Sequence, residues 1–242
     1  MLNKLVENLP KLKLLKMAGF LNSSIGKKFL MSLSGLFLIL FLAVHATLNS
    51  LLLVGPEAYN LGANFMGTNP FVRVMEPILA LGFIIHILYA LWIEIYNLNK
   101  RGVKRYAMAV RRHQSTWSSR NMIWLGLIIL TFLVIHLANF FWKVKFGPMP
   151  EVTYNGQTMH DTYKLVVSLF QTNIWIDILY IIGAIALGLH LHHALWSAFQ
   201  TLGWSNDRWR KIWGVIGDIY AVIITLIFGL IPWYFYFTHP LA

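Results

Sequence analysis

The chain has 242 residues, of which 57% are hydrophobic and 12% are Asp, Glu, Lys or Arg, and its mean hydropathy is +0.60. Soluble domains carry about 25% charged residues, so this composition excludes an ordinary water-soluble globule and predicts a polytopic membrane protein. Cysteine is absent. That excludes disulfides, Cys-ligated zinc and Cys-held iron–sulfur clusters, and leaves His, carboxylate and Met as the metal donors. The net charge of +11 raises the question of nucleic acid. The basic residues sit between long uncharged runs, as membrane-flanking charges do, so no nucleic-acid partner is expected.

The first 24 residues place Leu5, Leu9, Leu12 and Leu15 among lysines. No long apolar run precedes a small-residue cleavage site, so the segment does not read as a signal peptide. It reads as a short amphipathic helix on the cytoplasmic surface or as a flexible basic segment. A bilayer crossing needs roughly 20 apolar residues, and five runs meet or approach that length. They predict spans over about 27–54, 72–97, 120–143, 172–199 and 213–238. Aromatic residues mark several ends (Trp117, Trp142, Trp175, Trp204, Trp213, Tyr234), as expected at a membrane–water interface. No repeat is evident, and the chain reads as a single membrane domain.

Charge sets the expected orientation. Sixteen of the 20 Lys and Arg residues fall in the N-terminal segment, the 97–120 loop and the 200–212 loop. The other four are Arg73, Lys143, Lys145 and Lys164. By the positive-inside rule the N-terminus and those two loops are cytoplasmic, and the C-terminus is outside.

Six of the nine histidines fall inside spans: His45, His86, His136, His190, His192 and His193. Ionisable residues within a membrane are candidates for function. His45 lies 11 residues before Pro56 and His136 lies 7 before Lys143, both near the outer side. His86 lies 13 residues after Arg73 and His190 lies 17 after Asn173, both deeper. At about 1.5 Å per residue the two levels differ by about 10–15 Å. Two pairs, each drawn from two helices, match what two stacked bis-histidine b haems require. On spacing alone His192 and His193 compete with His190. Gly82 and Gly183 precede their histidines on the same helix face, and Gly35 and Gly126 lie ten residues inward of the outer histidines. These glycines fit a porphyrin passing close to the helices, or ordinary small-residue packing.

Several motifs then align. Span one reads Ser32-x-Ser34-Gly35-Leu36-Phe37, then Val44-His45, followed by Gly55-x-Glu57-Ala58-Tyr59-Asn60. Span two reads Phe71-x-Arg73, then Glu76 and His86, and span four reads His190-x4-Leu195-Trp196-Ser197 before Gly203-Trp204. In order and spacing the chain resembles the cytochrome b membrane-anchor subunit of succinate:quinone oxidoreductase, in its single-subunit, five-helix, two-haem form. The resemblance implies an all-α bundle of five transmembrane helices holding two stacked b haems. It implies His45 and His136 as axial ligands of the outer haem and His86 and His190 as those of the inner one. The spacing to Leu195-Trp196-Ser197 selects His190. Ser32, Arg120 and Trp124 are candidates for haem contact.

The resemblance also implies partners on the cytoplasmic side of the inner membrane: a flavoprotein (FAD) subunit and an iron–sulfur subunit, in a heterotrimer that can oligomerise further. The flavoprotein would carry the succinate/fumarate chemistry. This chain would pass electrons between the iron–sulfur subunit and a membrane quinone, menaquinone in many relatives. Quinone chemistry needs proton acceptors within hydrogen-bond reach, which nominates Glu57 and Glu76 at the outer ends of spans one and two. Where some fumarate-reducing relatives carry a Glu two residues before the fourth ligand, this chain has Gly188, so a proton path there is not expected. The alternatives are a di-haem anchor of a hydrogenase or formate dehydrogenase, a haem-free transporter, and a purely structural anchor.

Overall fold

The structure, a computed structural model, describes residues 23–101 and 117–238 together with Gly19. The predicted N-terminal amphipathic segment lies outside the described residues, as does most of the 97–120 loop. Five helices are long and apolar enough to cross a membrane: Ser24–Leu53, Pro70–Asn99, Met122–Phe146, Ile174–Thr201 and Asp207–Thr238. The chain is therefore a multi-pass membrane protein of helical architecture.

Helix α1 (Ser24–Ser50) starts at Ser23, whose Oγ accepts from the Gly26 N–H, and it closes in a 3-10 turn, Leu51–Leu53. A short helix α2 (Pro56–Thr68) and the long α3 (Pro70–Arg101) follow. A single turn, α4 (Trp117–Arg120), precedes α5 (Met122–His136). The helix then widens into a π turn, Leu137–Phe141, before the last turn α6 (Trp142–Phe146). A two-stranded hairpin, β1 (Glu151–Tyr154) and β2 (Gln157–His160), comes next, then α7 (Thr162–Thr172). Helices α8 (Ile174–Thr201) and α9 (Asp207–Thr238) complete the chain.

Boundaries differ from the sequence reading where a polar cap intervenes. The fourth span begins at Ile174 because the Asn173 Oδ1 accepts from the Trp175 N–H, separating α7 from α8. The fifth begins at Asp207, six residues earlier than expected, because Asn206 Oδ1 accepts from the N–H groups of Arg208 and Trp209. Such caps satisfy the first-turn N–H groups, which lack partners within the helix. Helix α8 ends where Gly203, at φ 82°, lets the Trp204 N–H reach back to the Phe199 carbonyl at 3.0 Å, a left-handed closure that glycine permits.

Helix α8 is the central element, packing against α9, α5 and α1. Between α8 and α9 the contact is close enough that a Cβ on Gly188 would collide with Thr225 Oγ1. Small residues that let backbones approach are the usual means of helix packing in membranes. Gly188 is thus a packing contact in this chain.

One end of the bundle is capped by α2, the hairpin and α7. The hairpin turns at Asn155-Gly156, both with positive φ (51° and 77°), the pair preferred for a two-residue turn between antiparallel strands. Asn60 of α2 is fully buried and ties the cap together. Its Nδ2 donates to Asp161 Oδ1 at 3.0 Å, and its Oδ1 accepts from Thr162 Oγ1 and the Tyr163 N–H. Leu52, Tyr59, Val166, Val167, Phe170 and Phe235 form the apolar cluster beneath.

Candidate functional site

The four depth-matched histidines meet in two pairs. His45 of α1 faces His136 of α5, with ring centroids 5.8 Å apart and planes at 89°. His86 of α3 faces His190 of α8, with centroids 6.4 Å apart and planes at 71°. With metal–nitrogen bonds of about 2.0–2.1 Å, two imidazoles on opposite sides of one metal atom have centroids about 6.3 Å apart. Both spacings lie near that value and within the range of about 4.5–7 Å for packed aromatic rings. Among the described residues no group of three or more His, Asp or Glu gathers at metal-binding distance.

The His45–His136 pair sits among aromatic rings. Phe41 stacks on His45 at 5.3 Å, and Phe228 lies 5.5 Å away. Phe132, Phe140 and Tyr180 surround His136 at 5.7, 5.2 and 6.1 Å. His136 Nδ1 is buried with no hydrogen-bond partner among the described residues, and so is His190 Nδ1. Asn49 Nδ2 donates to the His45 carbonyl at 2.8 Å and lies 3.4 Å from His45 Nε2. A metal bound through that nitrogen would displace the longer contact.

In the other pair His86 is held by helix α1. Ser34 Oγ donates its one proton to the Met31 carbonyl at 3.1 Å and lies 3.3 Å from His86 Nδ1. With its proton on the Met31 carbonyl, the hydroxyl accepts only from the His86 tautomer that carries its proton on Nδ1, the form with a bare lone pair on Nε2. Gly35 lies against the same ring, because a Cβ there would sit 3.4 Å from His86 Cε1.

Other expected residues fall differently. A Cβ on Gly82 would strike the Phe37 ring, and one on Gly183 the Phe132 ring, so both glycines admit aromatic side chains. Gly126 has open space around it. Ser32 is half-buried, Arg120 is exposed at the end of α4, and Trp124 is 65% exposed. The described contacts bring none of these three to either pair. His192 Nδ1 bonds to Asp218 Oδ1 of α9 at 2.6 Å, and His193 packs edge-on against Trp196. His190 is the one of the three that faces His86.

Both nominated glutamates lie on the surface. Glu76 pairs with Lys145 at 2.8 Å, and Glu57 accepts from Asn155 at 3.3 Å. Each ties two segments of the capped end together.

Sequence reasoning missed Ser34 as the support of His86, although the residue stood in the quoted motif. It also missed Asp177, in the first turn of α8. This aspartate is 1% exposed, and neither carboxylate oxygen has a hydrogen-bond partner among the described residues. A buried carboxylate within a span was itself a signal.

Comparison with family models, curated proteins and solved structures finds no match to this chain.

Proposed function

We propose that this chain is the membrane anchor and electron-transfer subunit of a succinate:quinone oxidoreductase. The observation that carries the reading is the meeting of four histidines from four helices in two pairs, at 5.8 and 6.4 Å. Each spacing suits one bis-histidine haem. The donor set supports b haem as well: imidazole nitrogens only, on apolar walls, with no thiolate in the chain. The motif resemblance adds the kind of complex.

In this reading His45 and His136 hold the outer haem, and His86 and His190 hold the inner one. When bound, the haems supply one-electron carriers between an iron–sulfur partner and a quinone. Ser34 orients His86, Gly35 leaves room beside its ring, and the phenylalanines around His45 and His136 exclude water. The basic loops are cytoplasmic and receive the iron–sulfur and flavoprotein subunits. The capped end lies outside, and the substrate there is a membrane quinone, menaquinone by resemblance.

The deciding experiment is haem content per chain in the purified complex, by pyridine haemochrome, with a reduced-minus-oxidised spectrum. Two b haems per chain, reducible by succinate, are expected. Two haems that succinate cannot reduce would point to another dehydrogenase partner. Absence of haem from protein made with ample haem supply would overturn the reading.

A further inference from the structure

We propose that Tyr180 is the positioning residue for His136 and that Asn139 is its tether. The inference rests on the haem reading above and adds what sets the angle of one axial imidazole.

The two pairs hold their histidines differently. His86 has the Ser34 hydroxyl 3.3 Å from its Nδ1. The Nδ1 of His136 is buried with no hydrogen-bond partner among the described residues. In a close-packed interior, a ring that no hydrogen bond orients takes its angle from the walls around it.

Those walls are aromatic and come from two sides. Phe132 and Phe140 stand four residues before and four after His136, with centroids 5.7 and 5.2 Å from the imidazole. Tyr180 of α8, itself 6% exposed, closes a third side at 6.1 Å. Its centroid is also 5.1 Å from that of Phe132 and 5.9 Å from that of Phe140. Tyr180 is thus in contact with His136 and with both rings that flank it. Phe170 of α7 packs on Tyr180 in turn, at 5.1 Å. Helix α8 makes room for this arrangement. Gly183 lies three residues after Tyr180, on the same face, and a Cβ there would strike the Phe132 ring.

The hydroxyl end of Tyr180 is fixed as well. Asn139 Nδ2 donates to it at 3.1 Å. Asn139 belongs to the π turn Leu137–Phe141, which starts at the residue after His136. Single π turns inside helices are frequent at functional sites. A plain core role at position 180 needs only an apolar ring. A tyrosine tied to the turn that follows His136 keeps that ring against the imidazole. His45 and His136 stand with their ring planes at 89°. In a ferric haem held by two imidazoles, the angle between the ring planes shapes the electron paramagnetic resonance signal, so a turned His136 is observable.

The test uses the purified whole complex with three variants. Tyr180→Leu removes the ring, Tyr180→Phe removes only the hydroxyl, and Asn139→Leu removes the tether from the other side. Haem loss to excess apomyoglobin and the ferric signals are measured, with the two haems assigned by His136→Ala. In Tyr180→Leu the haem of His45 and His136 should be lost about tenfold faster, the scale of losing a group that orients a metal ligand. Its signal should shift, while the other haem keeps its wild-type loss rate and signal. Tyr180→Phe and Asn139→Leu should hold haem as wild type does and shift that same signal by equal amounts. The double variant should shift it no further, because both changes break one bond. Wild-type signals and loss rates in haem-loaded Tyr180→Leu overturn the proposal and leave the haem reading intact. Both haems changing together also overturn it, since a general loss of packing does that. If Tyr180→Leu does not assemble, Tyr180→Phe decides: a shift confined to the haem of His45 and His136 supports the proposal, and any other result overturns it. A wild-type complex without haem overturns both readings.

Discussion

Ser34 shows how much depends on a single hydroxyl. Its proton goes to the Met31 carbonyl, so only its lone pairs face His86. Ser34→Ala removes that acceptor and leaves the imidazole free to rotate or change tautomer. Loss of such an outer-shell partner typically costs 10–100-fold in metal affinity or activity. In the proposed reading the inner haem of Ser34→Ala should therefore wash out first and shift its midpoint potential, while the outer haem titrates as before. Redox potentiometry with haem counting checks this, and two unchanged transitions would refute the role. Ser34 stood in the sequence motif, yet Ser32 was the residue singled out. Two positions apart on a helix face different ways, and only the packing of α1 on α3 shows which one meets the histidine.

Tyr59 makes a second case at this scale. Burial pushes its phenol from 10.0 up to about 12, because the ionised form is disfavoured beneath the cap. Its folded-state value lies above the unfolded one, so between about pH 10 and 12 the unfolded chain loses this proton while the folded chain keeps it. Stability must then fall as pH rises through that window, by up to about 2–3 kcal/mol from this group. Tyr59→Phe should lose less of its melting temperature than wild type over the same range. Equal alkaline losses in the two proteins would contradict the assignment.

At the scale of elements, the contact between α8 and α9 governs what the membrane core can hold. Gly188 admits Thr225, whose hydroxyl donates to the Ala221 carbonyl at 2.7 Å. A glutamate at this position would have to push α9 away. Overpacking of this sort costs about 1–3 kcal/mol even for apolar groups, and a buried carboxylate adds to it. Gly188→Glu is therefore expected to lower the melting temperature of the purified complex without creating a new proton path. A stable Gly188→Glu complex with unchanged melting would contradict the packing reading. The helices themselves were legible in the sequence, since runs of some twenty apolar residues have few alternatives in a bilayer. The cap was not read. Its hairpin carries the Asn155-Gly156 turn signal between the third and fourth spans. The Asn60 network joins residues about a hundred positions apart, which no local pattern displays.

For the whole molecule, the pairing of histidines across helices is the property that other features serve. In the proposed complex, replacing His45 or His136 by Ala should remove the outer haem first, and replacing His86 or His190 the inner one. Each variant should retain one of the two redox transitions. His192→Ala should keep both, because His192 bonds to Asp218 on the far helix. Loss of a haem from His192→Ala, with none lost from His190→Ala, would reverse the assignment of the fourth ligand.

The amino-acid sequence by itself determined the membrane class, the five crossings and the two histidine levels. Those properties depend on hydrophobic length and on rise per residue, and both are local along one helix. Tertiary structure decided which side chains meet. The rotation of each helix about its axis is set by packing against its neighbours, and that rotation turns His190 rather than His192 toward His86. The same packing puts Ser34 behind His86, exposes Trp124, occupies Glu76 with Lys145 and leaves Asp177 enclosed without a hydrogen-bond partner among the described residues.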